Sequence, residues 1–208
     1  LRDVPEFTVG VLIAMRGVGN FISFFVVAQL TRRHPRATLA AGLIIQAGAA
    51  VWMGQLDMNM TSADVMWTNL IHGFGFGLAY TPMATLTFST LEMRLMTQGN
   101  AIFSLLRMLG SSLFISIILV VFVQSAAVAQ SNLIEYVTAF ERAVLAPWFA
   151  HFGEMGSAKF QALAGEQVRR QAAMVGYLNA FHLLTIVPAL AAPAALFFKL
   201  RPREPAKT

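Results

Sequence analysis

Residues 98–124 read QGNAIFSLLRMLGSSLFISIILVVFVQ, a long apolar run interrupted by a single charge, Arg107. An α-helix rises about 1.5 Å per residue, so residues 101–123 are enough to cross a hydrocarbon core about 30 Å thick. The run reads as a transmembrane helix. A charge inside such a helix costs about 2.5–3.5 kcal/mol on insertion scales. Arg107 is therefore expected to face protein or a wet cavity, and it is the first candidate functional residue. Just beyond it, Gly110, Ser111 and Ser112 make a level of small side chains at which a second helix can come close.

Working outward, similar runs lie at 7–30, 37–56, 65–90 and 172–198, giving five expected spans. Of the 208 residues 57% are hydrophobic and only 12% charged, with a mean hydropathy of +0.63. That charged fraction is about half that of a soluble domain. The fold class that follows is an all-α polytopic membrane protein. The net charge of +5 does not point to nucleic acid, because the basic residues fall in loops and not on one soluble face interleaved with aromatics. With no cysteine, neither a disulfide framework nor a Cys-based metal site is available. The chain opens at Leu1, with no charged n-region and cleavage site ahead of the first run, so further helices are expected upstream.

The other four spans also carry polar residues or prolines that matter. The first holds Arg16, Gly17 and Asn20 within about one turn, a face that cannot meet lipid. The second has Gln46 as its one strongly polar interior residue. The third is the most polar, with Asn69, His72, Thr81, Thr85 and Thr87, and with Gly73, Gly75 and Gly77 between them. Pro82 lacks an N–H and clashes one turn back, so a kink or local opening is expected near residues 79–81. Pro188 and Pro193 are expected to bend the fifth span. Segment 125–171 is more charged and broken by Pro147, Gly153, Gly156 and Gly165; apolar residues at helical spacing predict one or two amphipathic helices outside the membrane.

Several patterns have plainer readings than the chemistry they resemble. The glycines at 73, 75 and 77 follow no strand and precede no lysine, so close helix packing is expected there and not a phosphate loop. His72 and His182 have no carboxylate at ligand spacing, which leaves packing or a proton relay. Trp52, Trp67 and Trp148 fall near expected helix ends or outside the spans, as interfacial anchors do. No Asp or Glu lies in any of the five spans, so Arg16 and Arg107 must find their counter-charge in another part of the protein, a substrate or water. There is no paired intramembrane carboxylate, no Ser/His/Asp set and no HExxH signature, so neither an enzyme nor a metal or organic cofactor is expected.

Loop charges set the orientation. One side carries Arg32, Arg33, Arg36, Arg94, Lys199, Arg201, Arg203 and Lys207; the other has Arg2 and, in one long segment, Arg142, Lys159, Arg169 and Arg170. Basic residues in short loops stay in the cytoplasm, so the C-terminus is expected inside and 125–171 outside.

In order, these motifs resemble the last five helices of the fourteen-helix drug:proton antiporters of the major facilitator superfamily, the EmrB/QacA type. The run 10–19 (GVLIAMRGVG) is similar to that family's helix with an Arg-Gly-x-Gly end, and 27–36 (VAQLTRRHPR) to its degenerate cytoplasmic loop. Residues 73–82 (GFGFGLAYTP) resemble its glycine-rich helix ending in proline, and 99–112 (GNAIFSLLRMLGSS) its helix with an L-x-R-x-x-G-x-S pattern. The run 170–174 (RQAAM), with Tyr177 and Phe181, is similar to the entry to its final helix. Ala28 and Arg32 stand where the family often has glycine and an acid, which removes one inter-helix ion pair from that gate.

The resemblance implies that the chain is part of the C-terminal lobe of such a transporter, in the bacterial inner membrane. An N-terminal lobe would supply the proton-coupling carboxylates, and hydrophobic or amphipathic compounds would be exported against proton entry by alternating access. Within that scheme the residues themselves offer Arg16, Asn20, Asn69, His72, Thr81, Thr85 and Arg107 as pathway candidates, and Gly17, Gly73, Gly77, Pro82 and Gly110 as packing or gating positions. A membrane-fusion adaptor and an outer-membrane channel are the implied partners beyond the bilayer, with 125–171 as a contact surface. Two alternatives remain open at this level: a transporter of the same fold for an anionic metabolite or siderophore, and a membrane scaffold that does not transport.

Overall fold

The computed structural model describes residues 6–56, 60–139 and 158–197, and the regular structure in them is entirely helical. The helices are α1 (Glu6–Arg33), α2 (Pro35–Gly54), α3 (Ser62–Phe88), α4 (Met96–Ala139) and α5 (Ala158–Leu196); a short 3-10 turn, Met93–Leu95, precedes α4. Helix is the form in which a single segment satisfies its own backbone away from water. Four stretches are long and apolar enough to cross a membrane: Phe7–Arg33, Pro35–Gly54, Met93–Leu133 and Gly165–Leu196. They contain or overlap the expected spans 7–30, 37–56, 98–124 and 172–198.

The expected span at 65–90 differs. It forms helix α3, but α3 is not among the four apolar stretches, because its Asn, His, Thr and Gly residues dilute its hydropathy. Protein covers much of it instead. The other difference lies in 125–171: residues 125–139 prolong α4 and 158–171 are the first part of α5, so no separate amphipathic helix forms in these stretches. The rest of that segment, 140–157, lies outside the described residues, as do residues 57–59 and the residues from 198 onward. α3 continues as helix through the fully buried Pro82.

Local chemistry sets the helix boundaries. α1 and α2 are separated by His34 alone, whose N–H still donates to Leu30 (2.8 Å) while Pro35 opens α2. Proline suits the first helical position because its missing N–H would have no partner there. α3 opens with a capping box: the Thr61 hydroxyl accepts from the Asp64 N–H (3.3 Å), and the Asp64 carboxylate accepts from the Thr61 N–H (2.9 Å) and its hydroxyl (2.7 Å). These Thr61 hydrogen bonds, the side-chain one foremost, hold the Asp64 carboxyl below the usual carboxylate range.

The chain divides into two compact units. One comprises Leu1–Arg2 and Ser116–Ala180, the other Asp3–Ile115 and Phe181–Thr208, so α4 and α5 each contribute to both. In the second unit α3 lies between α1 and α2, and glycines define both contacts. A methyl group built at Gly73 would lie 2.8 Å from the Arg16 carbonyl carbon, one at Gly19 2.9 Å from the Phe74 nitrogen, and one at Gly77 2.5 Å from Asn20 Oδ1. Numbers rise together along the two helices, so α1 and α3 run parallel. On the opposite side of α3, Gly75 meets Gln46 and Gly42 meets Ala79; here numbers rise on one helix as they fall on the other, and the pair is antiparallel. A cluster of Leu39, Ala40, Ala79, Leu86 and Ala195, flanked by Leu43 and Met83, forms the core of this unit. In the first unit a methyl at Gly176 would meet the Phe122 carbonyl oxygen at 2.8 Å, and the Phe122 and Tyr177 rings lie 4.6 Å apart.

Candidate functional site

Arg16, Asn20 and Ser23 fall at i, i+4 and i+7 on α1, one stripe of that helix. The neighbouring Gly19 is buried against α3, which answers with Gly73 and Gly77 one turn apart. Because none of the three carries a side chain, the backbones approach closely. The consequence is local: the Arg16 backbone sits against Gly73, next to His72, and the Asn20 amide and Ser23 hydroxyl sit against Gly77. Arg16 and His72 are within electrostatic reach of each other.

Most hydroxyls along this interface satisfy themselves. Ser23, fully buried, donates to the Asn20 carbonyl (2.6 Å), and Thr68, equally buried, lies within bonding distance of the Asp64 and Val65 carbonyls (2.9 and 3.1 Å). The Asn69 amide nitrogen donates to the Val65 carbonyl (2.9 Å), and Thr85 donates to Thr81 (3.0 Å). His72 is different: its Nδ1 is buried without a hydrogen-bond partner among the described residues. A buried, unpaired polar atom is costly, which makes it a natural contact for a ligand or water.

Arg107 belongs to another place. Its guanidinium carbon lies 6.0 Å from the centre of the Tyr80 ring, and Tyr80 in turn stacks on Phe76 (5.8 Å, planes 21° apart). Tyr80 is eight residues beyond His72 on α3, so the two arginines engage α3 at levels about 12 Å apart. Both arginine residues are exposed, and neither pairs with a carboxylate among the described residues. The ion pairs that do form, Arg94 with Glu92 (2.9 Å) and Glu166 with Arg169 and Arg170, lie outside the five expected spans.

The structure therefore joins Arg16, Asn20, His72, Gly73 and Gly77 in one interface, and ties Arg107 to α3 elsewhere. Thr81 is half-buried and Thr85 exposed, both further along α3. A methyl at Gly17 or Gly110 would meet nothing within 4 Å, so in this chain those two do not carry helix contacts. The contacts rest also on Gly75, where close packing was expected, and on Gly19 and Gly42, which the sequence reading did not single out. Tyr80 was likewise missed, and an aromatic facing an intramembrane arginine was its signal.

No protein-family model, curated protein or solved structure matches the chain.

Proposed function

We propose that the chain forms part of the C-terminal lobe of a secondary transporter that exports hydrophobic or amphipathic compounds against a proton gradient, as the EmrB/QacA type does. The observation that carries this reading is the α1–α3 interface. It brings the backbone of Arg16, the Asn20 amide and the unsatisfied imidazole of His72 together on helices that expose apolar residues, and Arg16 pairs with no carboxylate among the described residues. Charge kept inside a membrane helix without a partner belongs to a pathway. The ordered motifs at 10–19, 27–36, 73–82, 99–112 and 170–174 supply the family.

In this reading Arg16, Asn20 and His72 contact the substrate, Arg107 on Tyr80 faces the coupling carboxylates of the N-terminal lobe, and the glycines allow α3 to move against its neighbours. A desolvated arginine facing such a carboxylate favours its ionised form and so assists proton release. A second reading, transport of an anionic compound, is favoured by one fact: the fixed charges in the five expected spans, Arg16 and Arg107, are both positive.

The test is expression of the complete reading frame containing this chain in an efflux-deficient host, scored by tolerance to a panel of lipophilic cations and lipophilic acids. Raised tolerance that Arg107→Ala and His72→Ala each reduce by about tenfold or more, with protein levels unchanged, supports the reading. Tolerance unaffected by either variant, with normal protein levels, sinks it. Tolerance confined to the acids favours the second reading.

A further inference from the structure

We propose that Phe76, Tyr80 and Arg107 form a binding site for a flat aromatic acid, with the two rings stacking on its body and the guanidinium holding its carboxylate. Phe76 and Tyr80 lie about one turn apart on α3, with ring centres 5.8 Å apart and planes 21° from parallel. The Arg107 guanidinium carbon, from α4, lies 6.0 Å from the centre of the Tyr80 ring. All three residues belong to the same compact unit. They are open to a ligand: Phe76 is 41% exposed, Tyr80 is half-buried and Arg107 is exposed.

The side of α3 that carries the two rings is neither a packed side nor a lipid-facing one. At the glycine contacts α3 meets α1 through Leu70, Gly73, Phe74 and Gly77, and α2 through Gly75 and Ala79. At about 3.6 residues per turn, Asn69, Phe76 and Tyr80 fall on a stripe between those two faces, with His72 at its edge. An amide and an imidazole inside a membrane helix turn towards protein or a wet cavity. Phe76, exposed between His72 and Tyr80, turns the same way.

Charge complementarity decides the occupant. Arg107 pairs with no carboxylate among the described residues, and no Asp or Glu lies in any of the five expected spans. A second copy of this chain would bring only like charge from its spans to this face, and lipid tails would bring none. A guanidinium held against an aromatic ring keeps N–H groups free in its own plane, and their fork matches the two oxygens of a carboxylate. An aromatic body on that carboxylate extends the stack that Phe76 and Tyr80 begin, in the offset arrangement that ring quadrupoles favour. The inference rests on the transport reading, whose substrate class it names; a coupling carboxylate and the substrate's acid would share Arg107 in turn.

The experiment is isothermal titration calorimetry of the complete protein containing this chain, in lipid nanodiscs at neutral pH. Three probes are compared: naphthoate, flat and acidic; naphthylmethanol, flat and neutral; and decalin carboxylate, acidic but not flat. Naphthoate is expected to bind about tenfold more tightly than either relative, which is about 1.4 kcal/mol. Arg107→Ala should abolish the preference over the alcohol and keep the one over the saturated acid, and Phe76→Leu should do the reverse. Each variant thus retains one preference, which shows that it is folded. Phe25→Leu, at an exposed ring on α1, should keep both. No advantage for naphthoate, both preferences intact in Arg107→Ala and Phe76→Leu, or their joint loss in all three variants would each overturn the proposal. Binding with the expected preferences but without efflux in the host would support the site and count against the transport reading alone.

Discussion

Single residues carry the start of α3 and the reach of α4. At the first, Thr61 and Asp64 bond to each other reciprocally, and the carboxyl is held below its usual value of 3.8. A depressed folded value means that the cap contributes fully above the ordinary carboxylate pKa and loses that contribution as the pH falls through the lower, folded one. Thermal melts followed by circular dichroism should therefore separate Asp64→Ala from the unaltered protein at pH 6, and the gap should shrink towards pH 2.5. A constant gap would count against the capping role. At the second, Arg107 over Tyr80 is a long cation–π contact at an exposed site, worth about 0.5–1 kcal/mol. Tyr80→Phe should keep most of it and Tyr80→Leu should lose it, read as a difference in melting temperature that disappears in an Arg107→Ala background.

Elements are held together by absent side chains. Gly19 and Gly73 let α1 and α3 touch backbone to backbone, Gly77 makes room for the Asn20 and Ser23 side chains, and Gly42 and Gly75 bring the backbones of α2 and α3 together. Adding a methyl where it would meet a backbone carbonyl forces the helices apart, and overpacking of this kind costs about 1–3 kcal/mol. Gly73→Ala should lower the melting temperature in detergent, and Gly73→Ala/Gly42→Ala should lower it further. Gly17→Ala and Gly110→Ala, which point a methyl into open space, should leave it unchanged or raise it slightly. Equal effects at Gly73 and Gly17 would mean that backbone entropy, not contact, decides.

At the scale of the whole molecule, the described helices expose many large apolar residues. Leu113 and Ile115 on α4 are 66% and 64% exposed, Phe25 on α1 is 73% exposed, and no residue of the most apolar stretch of α4 is buried. Such a surface is stable in lipid and not in water. Leu113→Lys should therefore impair insertion by about 2.5–3.5 kcal/mol, measured as the inserted fraction after alkaline carbonate extraction, while Asn100→Lys at the start of α4 should be tolerated. Fusion of a cytoplasm-dependent fluorescent reporter to the C-terminus should fluoresce, since the arginines of the short turn 31–36 and the basic residues Lys199, Arg201, Arg203 and Lys207 favour the cytoplasmic side. A dark but inserted fusion would reverse that orientation.

The sequence by itself determined that the chain is helical, with runs long and apolar enough to cross a membrane, because length and apolarity of a run are properties of neighbours along the chain and need no knowledge of contacts. It also marked Arg16, His72 and Arg107, since a polar group in such a run is costly wherever the run packs. What it did not determine is which of them meet. That Arg16 lies beside His72 while Arg107 lies on Tyr80 follows from the parallel register of α1 on α3 and from which α3 faces the glycines clear. Nor did it separate Gly19 and Gly42, which bear contacts, from Gly17 and Gly110, which meet nothing among the described residues. α3, too polar for a lipid-facing span by its own composition, is a central helix because α1 and α2 cover it. Register and covering are decided by complementarity between helices distant in sequence, which no single run encodes.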